Sequence, residues 1–192
     1  MGREFELKYR AAAAQITAIR ADFGPFREIS METTYYDTPD RSLSAKRWTL
    51  RRRFENVTSV CTLKTPGENG SRGEWETEAD DLTAAIPALC KLGAPEELAS
   101  LVCNGVTEVC GARFTRRAAL IAAESCTVEL ALDQGMLLGG GRALPLCEVE
   151  VELKEGSEES AVAFANALAA KYGLSPETTS KYKRALTLAL GK

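Results

Sequence analysis

The chain has 192 residues, a length that predicts one domain, over residues 1–192, with a sizeable core. Its 45% hydrophobic and 27% charged residues, with only 15 glycines and 7 prolines, exclude a collagen-like or wholly disordered polypeptide. It has no histidine and a formal net charge of −3, so imidazole bases, Ser-His-Asp triads, Cys-His dyads and histidine-bound metals are excluded and no global attraction to nucleic acid is expected. No apolar run reaches the ~18 residues of a membrane span. The opening MGREFELKYR carries charges where a signal peptide is apolar, which predicts a cytoplasmic, reducing location. The cysteines (Cys61, Cys90, Cys103, Cys110, Cys126 and Cys147) form no CxxC pair and read as small core residues.

From the N-terminus, period-2 alternation predicts a strand over 2–9, followed by a helical pattern over 10–22. Strands follow over 28–37, 46–55, 58–65 and 73–79, with Gly67, Asn69 and Gly70 marking a turn. Helices are predicted over 80–92 and 95–103, then strands over 106–122, 126–133 and 145–154, with a turn at Gly139 to Gly141. A helix over 157–172 is closed by Gly173, and a last one over 176–190 opens with Ser175 as N-cap and Pro176 in its first turn. About eight strands in this order make an α+β or barrel-like antiparallel fold rather than βαβ units.

Most of these strands carry charges on one face and apolar residues on the other. In the first, Glu4, Glu6 and Lys8 alternate with Phe5, Leu7 and Tyr9; in the last, Glu148, Glu150, Glu152 and Lys154 alternate with Val149, Val151 and Leu153. Arg51 and Arg53 share a parity, as do Thr62 and Lys64, Glu74, Glu76 and Glu78, Arg113 and Arg117, and Glu129 and Asp133. One reading is an amphipathic sheet whose charged face is solvated. The other closes the sheet so that the charges line a wet interior and the apolar faces pack outward against helices. Sorting of acids to the first and last strands and of bases to the middle ones favours the second. Carboxylates facing together, with neither His nor Cys as ligand, suit a hard ion such as Mg²⁺ or Mn²⁺. The Arg and Lys set suits a polyanion.

The ExExK motif of Glu4, Glu6 and Lys8 is followed by YYDTPD (35–40), LRRR (50–53), TLKTPG (62–67), RGEWETE (72–78), FTRRAAL (114–120), VELALDQG (128–135), CEVEVELKEG (147–156) and SKYKRAL (180–186). In these blocks the chain resembles the CYTH family, the triphosphate tunnel metalloenzymes, over nearly its whole length. Several members continue into a histidine-rich helical domain called CHAD, so a short-form member or a piece of a longer chain is expected. The resemblance implies a closed eight-stranded antiparallel β-barrel, a tunnel with helices on its outside, that binds triphosphate with divalent metal.

Carried over position by position, the resemblance implies that Glu4, Glu6, Glu148, Glu150 and Glu152 hold Mg²⁺ or Mn²⁺, while Lys8, Arg51, Arg53, Lys64, Arg117 and Lys181 grip phosphate. Arg52, of opposite parity, is expected as a surface or packing residue, and Arg113 on the face of Arg117. Glu4, Glu6, Lys8, Glu76 and Asp133 are the expected catalytic set, with Glu74 and Glu129 as further acidic positions for a second metal or a water. Tyr35, Tyr36 and Trp75 are expected in the core or in strand pairing. The implied activity is hydrolysis of tripolyphosphate to pyrophosphate and phosphate. Alternatives are a class IV adenylate cyclase, a thiamine or nucleoside triphosphatase, and a non-catalytic polyphosphate binder. The expected partner is a triphosphate or polyphosphate small molecule, not nucleic acid or membrane, and a homodimer is compatible with the sequence.

Overall fold

The computed structural model describes residues 5–66 and 72–191, so Glu4 and the turn residues Gly67, Asn69 and Gly70 lie outside the described residues. The chain runs β1 (Glu6–Arg10), α1 (Ala13–Phe23), β2 (Arg27–Asp37), α2 (Ser42–Ala45), β3 (Thr49–Glu55), β4 (Thr58–Pro66), β5 (Arg72–Glu78), α3 (Leu82–Lys91), α4 (Glu97–Leu101), β6 (Thr107–Ala123), β7 (Cys126–Gly139), β8 (Arg142–Gly156), α5 (Glu158–Tyr172), β9 (Ser175–Pro176) and α6 (Lys181–Ala189). The long β6–β7–β8 meander is joined by short turns: Ala123 pairs with Cys126, and Gly139 pairs with Arg142. At the second turn Gly140 and Gly141 take φ of 58° and 73°, the left-handed geometry of a two-residue hairpin loop that suits glycine.

The strands form one antiparallel sheet in the order β5-β4-β3-β2-β6-β7-β8-β1-β9. This corrects the closed eight-stranded barrel: the sheet has nine strands, and no ladder joins β5 to β1 or β9 among the described residues. The sheet is nonetheless strongly curled, because side chains of β1 and of β4, near its opposite edges, line the same cavity.

The expected helix over 176–190 starts late. Ser175 and Pro176 pair with Arg10 and Tyr9 as an edge strand, and the Glu177 amide donates to the Lys8 carbonyl at 2.8 Å. Proline has no amide hydrogen to give and is tolerated at an edge. Ser180 is the true N-cap of α6, accepting from the Lys183 amide. Gly173 does close α5, at φ 65°.

Three apolar clusters hold the helices. Leu7, Tyr9, Val128, Leu130, Leu132, Val149 and Val151 form the outer face of β1, β7 and β8, covered by α1 and α5 through Ile16, Ile19, Ala161, Ala165 and Leu168. Leu50, Leu63 and Trp75 are covered by α3 and α4 through Leu89 and Leu98, with Tyr36 at the margin. The third cluster departs from the expectation of helices on the outside only. Helix α6 packs through Tyr182, Ala185, Leu186 and Ala189 against Tyr35, Phe114, Leu137 and Leu146, on the concave face that also carries the charged residues. Cys61, Cys110 and Cys126 are buried as expected, but Cys103 is exposed. No helix among the described residues is long and apolar enough to cross a membrane.

Glycine lets α6 approach the sheet. A Cβ on Gly139 would lie 2.5 Å from the Ala185 carbonyl oxygen and 2.7 Å from the Ala189 amide nitrogen, both backbone atoms that cannot swing aside. Gly139→Ala is therefore expected to destabilise the fold by about 1–3 kcal/mol through overpacking. The urea midpoint would fall accordingly, and an unchanged midpoint would mean that α6 shifts without cost.

Candidate active site

Strand register assembles the charged face. Thr33 and Tyr35 stand opposite Arg53 and Arg51, Thr49 opposite Lys64, and Lys64 opposite Glu74. On the other side of the curl Arg116 stands opposite Asp133, Asp133 opposite Glu148, Glu150 opposite Lys8, and Glu152 opposite Glu6. Directly paired residues project to the same side of a sheet, so all of these face inward.

They enclose a cavity of about 120 Å³, lined by the cationic Lys8, Arg51, Arg53, Lys64, Arg116 and Lys181 and by the acidic Glu6, Glu150 and Glu152. A water needs roughly 10–15 Å³ by the same measure, so the space takes a group of several atoms. Thr33, Tyr35, Thr49, Phe114, Ser180 and Tyr182 complete the wall. The two halves of the cavity are paired differently.

In the β3–β4 half the charged residues on the cavity wall are all cations, and their carboxylate partners stand off it. Lys64 Nζ meets Glu74 at 2.8 Å, Arg51 is 4.0 Å from Glu74, and Arg53 pairs with Glu55 and reaches Glu76 only at 4.0 Å. The Nε atoms of Arg51 and Arg53 are buried and have no hydrogen-bond partner among the described residues. Burial and the neighbouring Arg51 push the Arg53 guanidinium below its ordinary value. Buried donors without a partner, on a wall whose charges are all positive, call for an anion.

In the β6–β8 half, Asp133, Glu148 and Glu150 pair with Arg116, Lys181 and Arg184, and Arg184 also meets buried Glu177 at 3.5 Å. Arg116 binds Asp133 through two bonds of 2.8 Å and also contacts Glu150. Lys181 Nζ sits 2.7 Å from Glu148, 2.7 Å from Glu150 and 2.9 Å from Asp133, and Arg184 takes the other oxygen of Glu148. Burial alone would lower the Lys181 and Arg116 values, but the surrounding carboxylates hold both above the ordinary range. Burial likewise works to raise Glu150, yet Lys181 and Arg116 keep it well below the usual carboxylate range. Glu148 goes the other way, raised first by burial and further by Glu150, against the opposing pull of Lys181.

The residue types along β1, β8 and β7 bear on a metal. Glu6, Glu152 and Glu129 occupy one register row across the three strands, and like charges side by side repel. Lysines offset them here: Lys8 meets Glu6 at 3.0 Å, and Lys154 lies 2.7 Å from Glu152 and 4.0 Å from Glu129. Among the described residues no three acidic or cysteine side chains converge as a ready metal-binding group. The all-carboxylate donor set fits a hard divalent cation, which would take the place of the lysine ammonium groups.

Several expected site residues thus meet at the cavity: Glu6, Lys8, Arg51, Arg53, Lys64, Glu150, Glu152 and Lys181. Asp133 and Glu148 lie beneath it, fully buried, as anchors of Arg116, Lys181 and Arg184. Both Glu148 oxygens already have cationic partners, so the structure places this residue among ion pairs and not among open carboxylates. Glu74 pairs with Lys64, and Glu76 accepts from Thr62 at 3.0 Å, facing a separate groove with Glu55 and Glu78.

Arg117 is not brought to the cavity. It points to the outer face, 2.9 Å from Glu28 and 3.1 Å from Gln134, and Arg113 likewise binds exposed Glu32. The arginine of β6 that lines the cavity is Arg116. A signal for it existed: the hairpin loop of Glu124 and Ser125 sets Arg116 opposite Asp133, whose face the pattern had assigned inward. Arg52 lies outside as expected, bonded to the Asp80 carbonyl. Arg184 and Tyr182 were also missed, because the helical pattern over 176–190 says nothing about which face of the sheet the helix covers.

Residues 2–186 match the family model of the CYTH domain. An inorganic triphosphatase from Haemophilus influenzae is 27% identical over 164 residues, 84% of this chain and 47% of that protein, so the chain spans about half the length of this curated relative. Among solved structures, a protein from Pyrococcus horikoshii superposes with a TM-score of 0.62 at 22% identity, over 96% of this chain and 99% of that one. A candidate adenylyl cyclase from Hippeastrum, with a dominant triphosphatase activity, gives 0.69 at 17% identity over 100% and 97%. Those two likenesses are of fold. The family match runs through every strand of the curled sheet and both walls of the cavity, and the chain belongs to the CYTH domain family.

Proposed function

We propose that the protein hydrolyses inorganic triphosphate to pyrophosphate and phosphate, with a divalent cation, inside this cavity. The observation that carries the reading is a cavity wall whose charges are Arg51, Arg53 and Lys64, with the buried Nε donors of the two arginines having no partner among the described residues. The named activity of the Haemophilus influenzae relative supports it.

The reaction adds water across a P–O–P anhydride, so the chain needs no covalent nucleophile and no histidine. Arg51, Arg53 and Lys64 bind phosphate oxygens from one wall, Lys8 and Arg116 from the other, and Lys181 covers them from α6. Donors fixed before the substrate arrives stabilise charge on the transferring phosphoryl group without reorganising. Glu6 and Glu152 are the residues that would hold Mg²⁺ or Mn²⁺, with Glu150 beside them and Glu4 two positions before Glu6. That ion supplies charge neutralisation and a more acidic bound water. Asp133 orients Arg116 and Lys181, and Glu76 is the acid on the far side of Arg53.

The test is phosphate release from tripolyphosphate, ATP and thiamine triphosphate with Mg²⁺, Mn²⁺ or chelator. Metal-dependent release with tripolyphosphate preferred is expected, and Glu6→Gln should lower it by about 10²-fold or more, as losing an electrostatic contact to the transition state does. Full turnover in Glu6→Gln or in chelator would overturn the metal assignment. Cyclic AMP and pyrophosphate from ATP would replace hydrolysis with cyclase chemistry, and tight binding without turnover would make the domain a polyphosphate binder.

A further inference from the structure

The YYDTPD segment ends β2 in a buried carboxylate whose role is not explained by the cavity itself. Asp37 is fully buried. Its Oδ1 accepts the amides of Thr38 at 2.8 Å and Leu43 at 3.1 Å, and its Oδ2 accepts the Ser44 amide at 3.3 Å and the Ser44 hydroxyl. The carboxylate therefore shapes the whole β2–β3 connection, including the left-handed backbone at Arg41, φ 64°.

The Ser44 hydroxyl carries the connection onward. Ser44 Oγ and Tyr182 Oη lie 3.0 Å apart. A carboxylate only accepts, so the single Ser44 hydroxyl proton is committed to Asp37, and Tyr182 must donate to Ser44. The Tyr182 ring rests on Tyr35, centroids 5.0 Å apart, and both rings line the cavity. Tyr182 is the neighbour of Lys181 in the first turn of α6, and it ties that turn to α2, in the connection between β2 and β3.

We infer that Asp37 and Ser44 are positioning residues: through the Tyr182 hydroxyl they hold the first turn of α6 so that the Lys181 ammonium stands over the cavity. The carboxylates beneath Lys181 pull it toward the sheet, and the Ser44–Tyr182 bond fixes the same turn to α2. The inference rests on the reading of the cavity as a triphosphate site. It adds that substrate affinity depends on a hydroxyl outside the charged set.

The experiment uses the full chain and tripolyphosphate. Ser44→Ala is expected to raise KM by about tenfold, the scale of one hydrogen bond, with kcat less affected. Ser44→Thr, which keeps the hydroxyl, should restore KM. Tyr182→Phe should match Ser44→Ala, with the double variant no worse than either. In a Lys181→Met background, Ser44→Ala should add nothing. An equal rise with and without Lys181 overturns the inference, as does an unchanged KM in an active protein. Hydrogen exchange reads the same link without substrate: Ser44→Ala should speed exchange of the amides at 182–185. If the wild-type protein neither binds nor cleaves tripolyphosphate, the functional reading falls, and unchanged exchange would independently overturn the Ser44–Tyr182 link.

Discussion

Replacing Arg53 with methionine is expected to lower kcat/KM for tripolyphosphate by about 10²–10³ while leaving the protein no less stable. Arg53 lies on the cavity wall beside Arg51, and burial and that neighbour both disfavour its charge. A base held below its ordinary value in the folded state costs stability wherever it stays charged in both states, which at neutral pH an arginine does. Methionine removes that cost and keeps much of the packing volume. Activity and stability should therefore separate. Added tripolyphosphate should raise the melting temperature of the wild-type protein by binding only the folded state, and the rise should shrink in Arg53→Met. A loss of stability that matches the loss of turnover would mean that Arg53 holds the fold and not the substrate.

Asp133→Ala is expected to behave in the opposite way, destabilising the fold by about 3–5 kcal/mol. Asp133 is fully buried, with a bidentate bond to Arg116 and a contact to Lys181. Without it buried Arg116 loses its bidentate partner and shares Glu150 with Lys181, while Arg184 keeps Glu148 and Glu177, so the two buried cations are under-compensated. Removing one partner of a buried set costs more than replacing the whole set with apolar residues. The loss would appear as a lower urea midpoint, and the double variant with Lys181→Met should recover part of it, since the surplus charge goes too. A change below about 1 kcal/mol, the scale of an exposed pair, would mean that water reaches the cluster.

These opposite expectations for two inward charges show what the cavity is built from. In one half the cations are held by buried carboxylates that also hold the fold; in the other the cavity wall carries only cations, whose carboxylate partners are more exposed. Local sequence cannot separate the two, since Arg53 and Arg116 both read as one arginine in a run of basic residues. The separation comes from what stands opposite: Val60 and Thr33 beside Arg53, but Asp133 beside Arg116.

Strand parity is a local property, and the sequence by itself determined it well. The alternation of Glu6 with Leu7, Arg51 with Arg52 and Glu150 with Val151 placed like-facing residues together because successive side chains of a strand point to opposite sides. Charge sorting among strands then indicated an inward face and an anion. The tertiary structure alone decided which parity of β6 faced inward, because that depends on its pairing with β7. Arg113 and Arg117 do share a face, as their spacing required, but it is the outer one. Pairing likewise decided that, among the described residues, the sheet stays open between β5 and β1 or β9, that Pro176 enters a short ninth strand, and that α6 covers the concave side. These outcomes depend on contacts between segments far apart in the chain, such as Lys181 with Asp133 and Gly139 with Ala185. Periodicity within a segment carries no record of them.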